Sequence, residues 1–132
     1  MKKVDQLHTK AMEIAQRAYL ALVSKNESEF VKLSKEAFNL EKEAAMLLHD
    51  KYDTEPNRSI LFKSAAFLAF DAKEYNECLE MIISALFGKP DTIIKNELQE
   101  LYEDLSRVTK PITMKKSVEY ALEEIYWPIA MN

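Results

Sequence analysis

Few side chains in this sequence are of a type that could do chemistry, and their spacing argues against most of what they could do. The chain has two histidines, His8 and His49, and one cysteine, Cys78. Neither histidine has a second histidine at metal-ligand spacing, so both read as surface or helix-capping residues; His49-Asp50 suits a cation near a helix C-terminus. A lone cysteine excludes an intramolecular disulfide and a multi-cysteine metal site. Cys78 falls on the apolar stripe of a helix and reads as a small core residue, not a thiolate nucleophile. With one glycine in the chain, no glycine-rich phosphate loop can be built. An Arg-x4-His pair of the kind some helical RNases use is absent. Arg58 with Glu41, Glu43 and Glu55 could form a charged cluster, read here as an ion-pair network fixing a helix junction. These residues predict no enzyme, no catalytic residue, no metal and no cofactor.

The elements that carry them are helical. Composition is 48% hydrophobic and 30% charged, an ordinary globular balance. One Gly and four Pro are too few turn residues for a β-rich fold, and the abundant Ala, Leu, Glu and Lys favour helix. Val4, Leu7, Ala11, Ile14, Ala18 and Leu22 recur at steps of three and four, predicting a helix over 4–24. Asn26, with Glu29 three residues on, caps a second to about residue 51. Pro56 opens a third, to about residue 72, apolar nearly all round and so packed on more than one side. Lys73-Glu74 turn into a fourth, 75–87. Gly88 ends it by taking the left-handed conformation, and Pro90 stops continuation. Asp91 caps a fifth to about residue 107, and a sixth covers 113–126. The apolar tail at 126–131 either folds back over the last helix pair or joins a subunit contact.

Net charge is −4 at a pI near 5.3, so no global basic field draws the chain to nucleic acid or anionic lipid. No apolar run reaches membrane-spanning length, and the start of the chain lacks a signal-peptide core. The expectation is a cytoplasmic protein that uses neither membrane nor nucleic acid.

The segment 59–90 resembles a tetratricopeptide (TPR) repeat, a helical hairpin of 34 residues. With Pro90 at the repeat's terminal proline, Ala66 holds the small position of the first helix, Tyr75 the aromatic that opens the second, and Cys78 and Ala85 its two small positions. Phe62 replaces the usual Trp, Cys78 the usual Ala, and Lys73 stands where Gly is common. The register does not extend to either side. The longer stretch from Leu40-Glu41-Lys42-Glu43-Ala44-Ala45 through Glu55-Pro56-Asn57-Arg58-Ser59 to Ser64-Ala65-Ala66 is also similar to a group of small bacterial TPR-like proteins, which brings no activity with it.

The resemblance implies an all-α fold of five to six antiparallel helices stacked as TPR-like hairpins: an N-terminal pair over 1–52, the hairpin over 54–90 and a capping pair over 91–132. It also implies a groove lined by Ile60, Lys63, Phe67 and Phe70, with Asp71 at the rim. Family members that clamp a terminal carboxylate have a Lys at the position of Lys63 and an Asn at that of Phe67, so half of that clamp is present and an apolar anchor suits the face better. Phe67 and Phe70 are open to a partner, or else covered by the N-terminal pair or a second subunit. The expected function is a non-enzymatic interaction module for a peptide or protein segment; the alternative is a self-associating, homodimeric structural or regulatory protein.

Overall fold

A computed structural model describes residues 1–109, and among them the fold is all-α with no strand. Five helices run α1 (Lys2–Val23), α2 (Glu27–Leu47), α3 (Asn57–Asp71), α4 (Tyr75–Leu86) and α5 (Thr92–Val108), with a 3-10 turn at Tyr52–Thr54 before α3. Consecutive helices pack as antiparallel neighbours: α1 on α2, α2 on α3, α3 on α4, and α5 more lightly on α3 and α4. The expected sixth helix and the apolar tail at 126–131 lie outside the described residues.

Small side chains set the spacing. Ala11 and Ala18 of α1, Ala37, Ala44 and Ala45 of α2, Ala65, Ala66 and Ala69 of α3, and Cys78 and Ala85 of α4 are all buried. They let helix axes approach closely, while Phe38, Phe62, Leu98 and Ile82 fill the space between. Helix α3 carries the most of this packing. Leu61, Phe62, Ala65, Leu68 and Ala69 are buried on several sides of it, as an all-round apolar pattern requires.

The two hairpin turns are built alike. Asn26 caps α2, its side chain accepting the Glu29 backbone N–H at 3.2 Å. Just before it, Lys25 sits at φ 60°, with its N–H donating to Leu22 O and the Asn26 N–H donating back to Ala21 O. Lys73 repeats this at φ 59°, its N–H donating to Phe70 O while the Glu74 N–H reaches Ala69 O. Each is a helix C-terminus closed by a left-handed residue, the conformation glycine adopts without cost and a lysine does not. Ion pairs Lys35–Glu74 and Lys42–Glu77, both at 2.8 Å, and Lys73–Glu27 at 3.2 Å tie α2 to the second hairpin.

Three expectations need correction. Helix α2 stops at Leu47, short of residue 51, because the chain turns through Leu48–Lys51 into the 3-10 turn. Helix α3 begins at Asn57, with Pro56 as its cap residue. Gly88 is not left-handed; its lack of a side chain serves a close approach described below.

Replacing Lys25 or Lys73 by glycine relieves the positive-φ strain and raises stability by about 0.5–1 kcal/mol each. The gain is smaller at Lys73, which gives up its exposed pair with Glu27. Denaturant midpoints of the two variants check this, and a loss of stability in both would contradict the turn geometry.

Candidate functional site

Positions 60, 63, 67 and 70–71 of α3 share one face by helical spacing, and the structure treats them differently. Ile60 and Phe67 are each 38% exposed despite their size. Lys63 is mostly covered and held by Glu97 of α5, its Nζ donating to both carboxylate oxygens at 3.2 and 3.3 Å. The half clamp expected from Lys63 is therefore already engaged inside the chain. Phe70 packs against the core and lies 5.8 Å from the Tyr75 ring, tilted at 58°. Asp71 is half-buried, and burial pushes its carboxyl up to about 6. Of these side chains, Ile60 and Phe67 are the ones left exposed.

Next to Ile60 the first turns of α1 and α3 enclose a cleft of about 150 Å3, lined by Met1, Val4, Asp5 and His8 of the first and Asn57, Ile60 and Leu61 of the second. His8 was expected as a surface or capping residue. It does keep 40% of its side chain exposed, and its Nδ1 lies 2.9 Å from both oxygens of Glu41, which is fully buried on α2. Nothing in the local sequence pairs them, since 33 positions separate the two residues. The one available signal was a glutamate on the apolar stripe of α2, four residues from Ala37 and three from Ala44.

The expected cluster of Arg58, Glu41, Glu43 and Glu55 divides into separate contacts. Glu41 goes to His8 and Glu43 to Lys3 at 4.0 Å. Arg58 is fully buried, lying between the Tyr52 and Phe62 rings with its guanidinium carbon 4.7 and 4.9 Å from their centroids. Its Nε donates to the His49 carbonyl at 2.8 Å, and Nη1 faces Glu55 Oε1 at 3.7 Å. The Ser59 hydroxyl donates to the other oxygen of Glu55 at 2.6 Å. Gly88, just past α4, lies against this group: a Cβ there would stand 2.7 Å from Glu55 Oε1 and closer still to Arg58 Nη1. The reading of a charged junction is correct for Arg58 and Glu55. The stacking rings and the reason for Gly88 were not legible in the sequence.

His49 turns its Nδ1 to Asp50 at 2.8 Å and its ring edge toward Phe62, 6.2 Å away. Cys78 is fully buried, and burial, with Asp71's charge second, pushes its thiol up to about 12. It is unreactive at neutral pH, as a core residue should be. Among the described residues no group of three or more His, Cys, Asp or Glu could hold a metal ion, and no helix is long and apolar enough to cross a membrane.

Three substitutions test these environments. Arg58→Ala leaves Glu55 buried without its cation and costs about 3–5 kcal/mol, and Gly88→Ala also destabilises by forcing the Arg58–Glu55 pair apart; chemical denaturation measures both. For Asp71, the unfolded chain ionises near 3.8 while the folded chain keeps its proton to about 6. Stability contributed by the protonated carboxyl is complete below pH 3.8 and is lost as pH rises toward 6, the loss discounted for partial exposure to about 1–2 kcal/mol. Asp71→Asn should remove that slope and leave the protein more stable at pH 7, as thermal melts across the range would read.

No family model, no curated protein and no solved structure matches this chain, so the resemblance over 59–90 stands on its residues alone.

Proposed function

We propose that this protein is a non-enzymatic, TPR-like interaction module that holds an apolar segment of a protein partner on the α1–α3–α5 face. The observation that carries the reading is the exposure of Ile60 and Phe67 on the most heavily packed helix of the fold. Phe62 and Phe38 are buried in the core, while on the same helix as Phe62 one aromatic and one isoleucine stay partly outside on one line. An anchor-in-groove mode uses such a line, with side chains of the partner packing between Ile60 and Phe67. The Lys63–Glu97 pair argues for recognition of an internal apolar segment over a terminal carboxylate, because the cation is already neutralised.

A second reading is self-association. Tyr19, Leu20, Leu22 and Val23 at the end of α1 are all exposed, beyond the buried Ala18 and Ala21 that face α2. A cluster of this kind is a candidate subunit contact. A mass that stays monomeric at tens of micromolar removes this reading and leaves the first intact.

The variant Ile60→Glu/Phe67→Glu tests the groove. Both side chains reach solvent but stay partly covered, so the double substitution should cost about 1–3 kcal/mol, and a helical CD spectrum with a cooperative melt shows that the variant is folded. Affinity capture beside the wild type should lose one specific partner. If every captured protein is retained by a folded variant, the face is not the binding surface. Phe70 is left unchanged because it is packed against Tyr75.

A further inference from the structure

We infer that Glu97 sets the partner selectivity of the α3 face, occupying Lys63 from within the chain so that the face takes a neutral segment over one bearing a carboxylate. This selectivity rests on the partner-binding reading of the same face and adds the residue that decides which segments it accepts.

The Lys63–Glu97 pair sits where a partner would lie. Lys63 comes three residues after Ile60 and four before Phe67, so helical spacing places it on the same side of α3, between the two exposed apolar side chains. Its Nζ donates to both carboxylate oxygens of Glu97 on α5, at 3.2 and 3.3 Å. The lysine keeps 22% of its side chain exposed and the glutamate 40%, which puts the pair at the surface and not in the core. Among the described residues no other carboxylate pairs with Lys63 and no other cation pairs with Glu97.

An unoccupied ammonium on this line would hold an anion by a charge-assisted hydrogen bond, with apolar contacts on either side. Glu97 already supplies that anion. Being tethered to the fold, it competes at an effective concentration that a free ligand does not reach. A carboxylate from a partner must displace it and leave Glu97 without its cation, whereas a neutral group leaves the pair intact. The discrimination is modest in size, because a partly exposed pair contributes little, and its direction is fixed. Asp71 is the other acidic group of this face, two turns beyond Lys63 and about 12 Å further along the axis. Salt screens a charge at that distance, so the choice falls to Glu97.

The test uses the full chain, isotope-labelled, titrated with N-acetylphenylalanine and with its uncharged amide at pH 7 and constant ionic strength, followed by NMR. The wild type should bind the acid no more tightly than the amide. Glu97→Gln keeps the side-chain shape and removes the charge. In that variant the acid should gain about two- to fivefold over the amide, read from saturable shifts of the Ile60 methyl and Lys63 side-chain signals. Lys63→Met/Glu97→Gln should lose the gain. Glu100→Gln, at an exposed position of the same helix, makes the same change in net charge and should show none. Dispersed spectra establish that each variant is folded. An unchanged acid-to-amide ratio in Glu97→Gln, a gain that survives Lys63→Met, an equal gain in Glu100→Gln, or no saturable shift with either compound would each overturn the inference. Ile60 and Phe67 are intact in Glu97→Gln, so a partner captured by the wild type should be retained; a failed titration with the partner kept sinks the selectivity alone and leaves the groove reading standing.

Discussion

The buried Arg58 guanidinium is the constraint on which the arrangement of the helices depends. Removing such a group from water costs several kcal/mol, and the contacts that offset this come from four separate parts of the chain. The His49 carbonyl just past α2 accepts its Nε proton, Tyr52 of the 3-10 turn covers one face, Phe62 of α3 covers the other, and Glu55 supplies the opposite charge. Gly88 beyond α4 closes the group by having no side chain. The guanidinium thus ties the end of α2 to the start of α3, and the end of α4 comes against it at Gly88. The group therefore fixes the junction between the two hairpins in a way that apolar packing, being non-directional, would not.

With that junction fixed at one end of the hairpins, the opposite ends are held by turns of a different kind. Lys25 and Lys73 close the two hairpins in the left-handed conformation, and Lys73, Lys35 and Lys42 reach across to the neighbouring hairpin. Helix α3 is thereby clamped at both ends and packed along its length. Its remaining open line, Ile60 and Phe67, is held on a rigid element. Preorganisation of this sort lowers the ordering cost a partner must meet, which is why exposed apolar groups on α3 count for more in the proposed function than those at the end of α1.

The His8–Glu41 pair adds a polar feature to the same face. It joins α1 to α2 through a carboxylate with no exposure to water.

The sequence by itself determined the helical class, the two hairpin turns, the caps at Asn26 and Asp91, and the identity of α3 as the helix packed on several sides. These rest on local quantities: periodicity over three or four residues, side chains that bond their own backbone, and composition. Cys78 as a core residue was legible for the same reason, because it lies on the apolar stripe of α4. Only the tertiary structure decided which charges are paired. His8 with Glu41, Lys63 with Glu97 and Arg58 with Tyr52 join different elements, and for the first two the separation is 33 and 34 positions. An ion pair between helices depends on the rotation of each helix about its axis and on burial, neither of which sequence spacing encodes. Gly88 makes the same point: sequence suggested backbone freedom, and the structure shows a space that must stay clear for a guanidinium from another helix.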